Sequence, residues 1–277
     1  MSLILYHNNL SVCSEKVRMV LNEKGVTDWR SVELDLAKGD QFDPEYLKLN
    51  SKAVVPTLVH DGRTVTESSL IAEYIDEAFD GPALRPDTAI DRAEMRLYPK
   101  ACDEGLHQGV GVLSFTATLL DHMIAASPGD VDERLNRIID LDRRDRIRSV
   151  FEHGENSPYI YRGTVAYEKI FQKIDKVLSD GRQWLMGERY TLAEINLAPY
   201  LARLEYLHLI DVWTAERPGV TAWFDRIKAR PSFKTEVVGW MKDQEWEDMK
   251  KGGLRIKPKI AENRAHYLET DVGANVF

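Results

Sequence analysis

Cysteine is scarce in this sequence: Cys13 and Cys102 are the only two among 277 residues. They lie far apart, no C-x-x-C pair occurs, and no cysteine and histidine cluster has the spacing of a zinc site. We therefore predict neither a disulfide scaffold nor a metal site. Such cysteine usage is typical of a reducing compartment, so we expect a cytoplasmic protein.

Long apolar runs are also missing. No stretch approaches the length of about 18 uncharged apolar residues that a membrane-spanning helix requires. The first residues, MSLILYHNNLS, have neither the basic start nor the long apolar core of a signal peptide. We expect no membrane partner.

The chain has no excess of positive charge. Its net charge is −8 at pH 7, which on average repels a phosphate backbone. The densest basic run, DRRDRIR at 142–148, is interleaved with aspartates and indicates a solvated helix face. Nucleic acid is therefore not an expected partner.

The first 80 residues carry alternating strand and helix signals. In chain order these are strand LILY (3–6), helix 11–24, strand WRSVEL (29–34), helix DPEYLKLN (43–50), a hairpin around Asp61-Gly62, and helix ESSLIAEYIDEAF (67–79) with an apolar stripe of Leu70, Ile71, Tyr74, Ile75 and Phe79. The order βαβαββα predicts a thioredoxin-like domain with a mixed sheet covered by helices.

The remainder of the chain is helical in composition. Helices are expected at about 88–125, 130–152, 163–180, 191–207 and 217–229. We predict a thioredoxin-like domain at 1–80, a Gly- and Pro-containing linker at 81–89, an all-helical bundle at 90–250 and a polar tail at 251–277. The polar segment 127–163 is interpreted as a helical, partly exposed insertion between bundle helices.

The residues SVCS at 11–14 stand where the first helix begins. Thioredoxin-like enzymes place a reactive sulfur there, because unpaired backbone N–H groups and the helix dipole favour a thiolate. Serines at both ends of this window exclude dithiol exchange. A hydroxyl can still donate a hydrogen bond to a ligand's thiolate and lower its pKa. The simpler alternative is that Ser11 only caps the helix.

Two further positions carry signals of a peptide-binding site. Pro56 lies between a loop and a strand, where it fits at a strand start or in the cis form, and a cis bond would turn the Val55 main chain outward for a peptide. Glu67 and Ser68 open the next helix. A carboxylate, a hydroxyl and a helix N-terminus can hold an ammonium and a carboxylate, although the pair can equally be a helix cap.

Together the stretches SVCSEKVRMVLNEKG, NSKAVVPTLVHDG and TESSLIAEYIDEAF resemble the glutathione transferase family, as do MGERYTLAEINLAPYLARL and PGVTAWFDRIKARPSF later in the chain. The resemblance implies glutathione as co-substrate. It also implies a homodimer, with a heterodimer as the alternative. Thr191 and Glu194 match the family's Ser/Thr-x-x-acid box, here with glutamate in place of the more usual aspartate, and we assign them to helix capping.

The same resemblance assigns the contacts to glutathione. Val55, before Pro56, would pair with the cysteinyl main chain, Glu67 and Ser68 would hold the γ-glutamyl end, and the glycyl carboxylate would meet Lys52, with Lys38 or Gln41 as further candidates. The activating group is Ser11 by alignment with serine-type members, Cys13 with bacterial cysteine-type members, and Ser14 with etherase-like and fungal members. Ser11 is favoured, and the other two remain alternatives.

A narrower resemblance connects VTES, IAEY, LRPD and RAEMR to bacterial enzymes that cleave β-aryl ethers of lignin fragments. It implies a hydrophobic aromatic substrate lying near Tyr98, His107 and Phe115, unless those residues only pack in the bundle. General conjugation of an apolar electrophile and zeta-like isomerisation are alternative activities. A non-catalytic binding protein and a disulfide reductase acting through Cys13 also stay open.

Overall fold

The computed structural model describes residues 2–120 and 128–270. Packing divides the chain into two compact units. The first unit consists of residues 2–99, 183–199 and 225–241, and the second of residues 100–120, 128–182, 200–224 and 242–270. The sequence-based boundaries near 80, 90 and 250 stay a prediction.

A four-stranded mixed sheet forms the centre of the first unit. Its strands are β1 (Leu3–His7), β2 (Arg30–Glu33), β3 (Thr57–His60) and β4 (Arg63–Val65), in the spatial order β2-β1-β3-β4. β1 pairs parallel with β2 and antiparallel with β3. With helices α1 (Val12–Glu23), α2 (Pro44–Leu49) and α3 (Ser68–Ala78), the chain order confirms the thioredoxin-like βαβαββα arrangement.

The hairpin between β3 and β4 forms at the predicted turn. Asp61 and Gly62 have φ angles of 45° and 78°, so both lie in the left-handed region. Two such residues between antiparallel strands suit the twist of a tight hairpin, which explains the Asp-Gly pair.

One residue of the predicted apolar stripe on α3 is placed differently. Ile71 and Ile75 are fully buried, but Leu70 is 58% exposed, so its assignment to the stripe was wrong. Asp76 takes a buried position instead, and its carboxylate accepts hydrogen bonds from Lys24 Nζ at 3.2 Å and Arg85 Nη1 at 2.7 Å. Paired charges make the burial of this carboxylate tolerable.

The chain after the sheet is helical, as predicted. Its helices are α4 (Ala89–Ala101), continued by a π-helical turn (Cys102–Leu106), α5 (His107–Thr118), α6 (Pro128–Asn136), α7 (Leu141–His153), α8 (Pro158–Leu178), α9 (Leu192–Tyr206), α10 (Asp211–Thr214), α11 (Pro218–Lys228), α12 (Pro231–Glu236) and α13 (Asp243–Thr270). Across residues 2–120 and 128–270, no helix combines the length and apolarity needed to cross a bilayer.

The helix boundaries differ from the prediction at several points. The helix expected at 88–125 is divided by the π-helical turn, and residues 121–125 lie outside the described residues, as does residue 127 of the predicted insertion. The described part of that insertion is helical over α6 and α7. The all-helical domain was predicted to extend to residue 250, with no individual helix assigned beyond 229. α12 and the long α13 form there, and α13 continues to Thr270 through the segment predicted as a polar tail.

Two consecutive glycines, which have no Cβ atom, allow α13 to pack closely against other main-chain segments of the second unit. A Cβ atom added at Gly252 would lie 1.8 Å from the Ala117 carbonyl oxygen, and one at Gly253 would lie 1.8 Å from the Leu207 carbonyl oxygen. Both positions therefore require glycine for steric reasons. Farther along α13, Arg264 Nε donates to the buried Glu168 carboxylate at 2.7 Å.

Candidate functional site

The strand register brings several chain ends to one edge of the sheet. Tyr6 at the end of β1 lies opposite Thr57 at the start of β3, and Val65 at the end of β4 lies opposite Leu58. The segments that leave β1 and β4 and the segment that enters β3 therefore share that edge. They carry three of the predicted site elements: the start of α1, the Val55-Pro56 pair and the start of α3.

The start of α1 offers two accessible candidates for thiolate activation. Ser11 is the N-cap residue, and its Oγ accepts a hydrogen bond from Ser14 N at 3.2 Å. Ser11 and the free thiol Cys13 are half-buried. Ser14 is fully buried, and its Oγ accepts from Asn8 N at 3.3 Å. Burial thus favours Ser11 or Cys13 over Ser14 as the group that meets a ligand.

The Val55-Pro56 peptide bond is cis. The preceding carbonyl, that of Val54, is held inside the protein by Tyr46 Oη at 2.6 Å and Asn50 Nδ2 at 3.0 Å. In the described part of the chain, no hydrogen bond joins the Val55 N–H or C=O to another group. These two main-chain groups are therefore available to pair with a peptide ligand in the manner of a strand edge.

Lys52 and Glu67, both predicted site residues, form an ion pair. Lys52 Nζ lies 2.6 Å from Glu67 Oε1, and the carboxylate raises the pKa of the Lys52 ammonium. Glu67 has φ of 68°, in the left-handed region that a residue other than glycine adopts at an energetic cost, and such outliers cluster at ligand sites. Ser68, half-buried, follows as the first residue of α3. A positive and a negative charge thus stand together at the start of α3.

Lys38 and Gln41 lie in the β2–α2 connection. Lys38 Nζ pairs with Asp35 Oδ2 at 3.0 Å, and Gln41 Oε1 is buried without a hydrogen-bond partner among the described residues. Lys38 lines a cleft of about 520 Å³ together with Tyr6, Leu34, Gly39, Asp40, Phe42, Asp43, Glu45, Tyr46 and Leu49. The cleft is thus lined by three carboxylates besides the one ammonium, and Ser11, Val55 and Glu67 lie outside that lining.

Sequence reasoning missed a polar cluster behind the start of α1. Arg18 is fully buried, and its Nη1 lies 3.2 Å from Nδ1 of the buried His7. Burial, and secondly the Arg18 charge, lower the pKa of His7 from 6.5 to about 4, so the imidazole is neutral at pH 7. The available signal was an arginine within the apolar run of α1, where Val17, Met19 and Val20 are all fully buried.

The predicted capping box at the start of α9 is confirmed. Ala193 N donates to Thr191 Oγ1 at 3.2 Å, and Thr191 N donates to Glu194 Oε2 at 2.9 Å. Glu194 also accepts from Leu185 N at 2.6 Å and is fully buried. Burial raises the pKa of the Glu194 carboxyl despite these hydrogen bonds. Its role is structural, as the sequence indicated.

The aromatic residues considered for substrate contact are placed unequally. Tyr98 and Phe115 are buried, with 4% and 7% exposure, which favours packing. His107 is exposed, and its Nδ1 lies 3.5 Å from Tyr200 Oη. Of these three residues, His107 alone is exposed to solvent.

Comparison with known proteins identifies the family to which this chain is similar. The chain matches the glutathione S-transferase N-terminal domain over residues 5–83 and the glutathione S-transferase C-terminal domain over residues 142–226. It is 31% identical to a tetrachloro-p-hydroquinone reductive dehalogenase of Sphingobium chlorophenolicum, covering 84% of this chain and 95% of that protein. It is 29% identical to the protein LigF of Sphingobium sp. strain SYK-6, covering 84% of this chain and 92% of LigF.

The fold agrees with these sequence matches. The crystal structure of the β-etherase LigF from Sphingobium sp. strain SYK-6 superposes with a TM-score of 0.75 at 27% identity, covering 86% of this chain and all of that one. With both domain models matched and a relative above 30% identity spanned almost completely, the chain belongs to the glutathione S-transferase family, and glutathione is its co-substrate.

Proposed function

We propose that this enzyme uses glutathione to cleave β-aryl ethers of lignin-derived aromatics. The observation that carries the proposal is the match to the β-etherase LigF, which extends over 86% of this chain with a TM-score of 0.75. The sequence motifs that resemble bacterial ether-cleaving enzymes point to the same chemistry. An apolar aromatic ether is thus the proposed second substrate.

The proposed reaction is a displacement at carbon. The glutathione thiolate attacks the carbon that bears the aryloxy group, a C–S bond forms, and the C–O bond breaks with its electron pair leaving on the phenolate. The thiol proton is released on ionisation, and the phenolate takes up one proton. The products are a phenol and a glutathione thioether, with no net oxidation or reduction.

Each site element has a part in presenting the thiolate. Ser11 Oγ accepts from Ser14 N, and its hydroxyl hydrogen would be donated to the sulfur. The amides at the first turn of α1 add a favourable dipole. The Val55 main chain would hold the cysteinyl residue, and the start of α3 with Glu67 and Ser68 would hold the γ-glutamyl end. Such positioning lowers the barrier because the reactants are already oriented.

The direct test is phenol release from a fluorogenic β-aryl ether, with and without glutathione. We expect release only with glutathione, together with a thioether product seen by mass spectrometry. Wild-type protein that is retained on immobilised glutathione but leaves the ether intact would contradict the etherase proposal while leaving glutathione binding in place. Loss of retention in Glu67→Ala would support the assignment of the γ-glutamyl contact.

A second candidate is reductive removal of a halogen from an aromatic ring. The 31% identical relative is named for this reaction with tetrachloro-p-hydroquinone. Replacing a halogen by hydrogen needs two electrons, which two thiols supply when they join as a disulfide. Cys13 is a half-buried free thiol two residues beyond Ser11, and it is suited to be the second thiol.

Halide release from a chlorinated hydroquinone separates this candidate from ether cleavage. Disulfide formation that accompanies chloride release would favour the dehalogenase, and phenol release without disulfide would favour the etherase. Turnover of a simple aryl halide to a stable thioether would favour general conjugation. Isomerisation of a maleyl compound without consumption of glutathione would favour the zeta-like activity.

We also propose a homodimer, with a heterodimer of related chains as the alternative. Leu70 on α3 and Ile90 and Leu97 on α4 are 58%, 68% and 49% exposed, and Ile90 and Leu97 share a helix face two turns apart. The exposed apolar face formed by Ile90 and Leu97 supports an interaction surface on α4. Light scattering on the purified chain decides between a monomer and a dimer. The free thiols Cys13 and Cys102 support the cytoplasm as the proposed compartment.

A further inference from the structure

Arg18 links the loop before Ser11 to a distant segment of the chain. Its Nη1 donates to the Asn8 carbonyl at 2.9 Å, and its Nη2 donates to the Asn9 carbonyl at 3.0 Å. Nε and Nη2 donate to the Glu236 carbonyl at 3.1 and 2.9 Å. A single planar guanidinium therefore fixes consecutive carbonyls of the β1–α1 loop against the end of α12.

The neighbouring side chains complete a tight enclosure of this guanidinium. The Trp240 ring lies 4.7 Å from the guanidinium carbon and packs edge-on against His7 at 4.9 Å. Because an arginine only donates, His7 Nδ1 must accept from it, so His7 Nε2 donates to Ser31 Oγ at 2.7 Å. Asn9 Nδ2 donates to the Trp240 carbonyl at 3.4 Å, which connects the loop to this segment a second time.

The positive charge of Arg18 is left without a contacting carboxylate in the described part of the chain. Its hydrogen-bond partners are main-chain carbonyls and a neutral imidazole. Glu15, Glu236 and Glu33 act on it from longer range, whereas burial lowers its pKa from the ordinary arginine value. An arginine stays charged even so, because its ordinary pKa lies far above neutral.

We propose that Arg18 is a positioning residue for thiolate formation, acting through the loop that carries Ser11. This inference rests on the proposed site at the start of α1. The planar fork holds Asn8 and Asn9 in one arrangement, which sets where Ser11 Oγ and the first amides of α1 point. A hydrogen bond to a developing thiolate weakens steeply with misalignment, so a small shift of the loop costs reactivity.

Substitution of Arg18 should change the reactivity of bound glutathione more than its affinity. The predicted contacts of the tripeptide main chain and γ-glutamyl end lie just before β3 and at the start of α3. Among the described residues, the hydrogen bonds of Arg18 go to neither place. In Arg18→Gln we expect the thiol pKa of bound glutathione to rise by about one unit and kcat to fall about tenfold, with KM for glutathione changed by less than about twofold. The thiol pKa is measured by thiolate absorbance in the ultraviolet against pH.

Arg230→Gln is the matched control. Arg230 bonds Glu23 at the other end of the same helix, with Nε 2.7 Å and Nη2 2.6 Å from the carboxylate oxygens. Its loss should lower Tm, leave kcat within about twofold of wild type and leave the thiol pKa within about 0.3 units. The reason is that its hydrogen bonds in the described part of the chain go to Glu23 and reach neither the loop nor the predicted site. A thiol pKa in Arg18→Gln equal to that of Arg230→Gln would overturn the proposal.

Two further variants keep the test decisive. Arg18→Lys retains the charge but lacks the fork, so its kcat should stay low, and full recovery would show that the fork is not needed. If Arg18→Gln does not fold, Trp240→Leu replaces it, with a smaller rise of the thiol pKa expected and no rise counting against the proposal. Wild-type protein in which bound glutathione keeps its solution thiol pKa would refute the site at Ser11 rather than the role of Arg18.

Discussion

The N-termini of α9 and α1, both in the first unit, are each capped by a hydroxyl side chain, but they differ in the residue three positions after the cap. At α9, the Thr191 hydroxyl accepts a hydrogen bond from Ala193 N. The carboxylate of Glu194, three residues later, accepts one from Thr191 N. At α1, Ser11 caps the helix, but the corresponding third residue is Ser14, which turns inward to Asn8 N. The start of α9 thus has a carboxylate three residues after its cap, whereas α1 has a serine at the corresponding position. On our proposal, the anion at the start of α1 is the thiolate of the ligand.

The comparison shows two ways in which the N-terminus of a helix is held in position. The box at α9 is fixed from within, because Thr191 and Glu194 are both buried and bonded to each other. At the start of α1, the side chain three residues after the cap is the Ser14 hydroxyl, which bonds Asn8 N and not the cap. This helix start is held from behind, through the guanidinium of Arg18 and the carbonyls of its loop. One start is therefore optimised for stability and the other, on our proposal, for binding a sulfur.

The largest expected effect is that of Ser11→Ala on turnover. Loss of the hydroxyl that is proposed to bond the thiolate should lower kcat/KM for glutathione turnover about 100-fold, roughly 3 kcal/mol of transition-state stabilisation. Steady-state kinetics at saturating second substrate measure it. Ser14→Ala is the control and should retain activity within about tenfold, since its hydroxyl faces Asn8. A large loss in Ser14→Ala with normal turnover in Ser11→Ala would reverse this assignment.

Removal of the Glu194 carboxylate from the start of α9 should lower the free energy of unfolding and leave catalytic activity unchanged. Glu194→Ala leaves Thr191 N and Leu185 N without their acceptor in a buried place, so we expect a loss of about 2–4 kcal/mol in the free energy of unfolding. Urea denaturation at a temperature where the variant is folded measures it. The thiol pKa of bound glutathione should match wild type, and a shift there would show that the two helix starts are coupled.

Lowering the pH should change the free energy of unfolding in opposite directions through His7, behind the start of α1, and Glu194, at the start of α9. His7 is held neutral in the folded protein with a pKa of about 4, against 6.5 when exposed, so the unfolded state binds the extra proton between these values. Stability contributed by His7 is present above pH 6.5 and falls as pH drops towards 4, by about 3 kcal/mol in total. The raised pKa of Glu194 acts oppositely, because the folded state then holds the proton more tightly as pH falls.

Urea midpoints measured from pH 7 to pH 4.5 test this difference. His7→Gln should flatten the fall of stability in that range, because it removes the group that gains a proton on unfolding. An equal slope in wild type and variant would assign the acid sensitivity to other groups.

The smallest expected effect is that of Cys13→Ser on ether cleavage. If Ser11 bonds the thiolate and no second thiol is needed, phenol release should change by less than about twofold. The same variant assayed with a chlorinated hydroquinone sharpens the choice of reaction, since chloride release that needs Cys13 should disappear. Abolished phenol release would place Cys13 in the ether-cleaving chemistry after all.

Much of the fold and part of the site follow from local sequence signals. The Asp61-Gly62 turn, the capping box at Thr191 and Glu194, and the strand and helix order are each specified by neighbouring residues, and all were predicted. The roles of the glutathione-binding residues stay predictions. The cis bond at Pro56 was one of two alternatives, because proline narrows the choice without deciding it.

The remaining features depend on contacts between residues far apart in the chain. Arg18 looks unfavourable within an apolar helix face, and its burial depends in part on the carbonyl of Glu236, 218 positions away. On α3, Leu70 fits an apolar stripe by spacing but is exposed. Asp76 on the same helix is charged but is buried, because Lys24 and Arg85 form ion pairs with it. Helical periodicity cannot identify such partners, so these placements required the structure.

The membership of residues 225–241 in the first unit limits how this enzyme can be rearranged. A chimera that joins the opening ninety or so residues to the helical half of another transferase would leave Arg18 facing a foreign segment where Glu236 and Trp240 now stand. On our proposal for Arg18, exchange of modules at the linker would therefore disturb thiol chemistry even when both halves fold. A productive graft would have to carry the stretch around Glu236 along with the sheet.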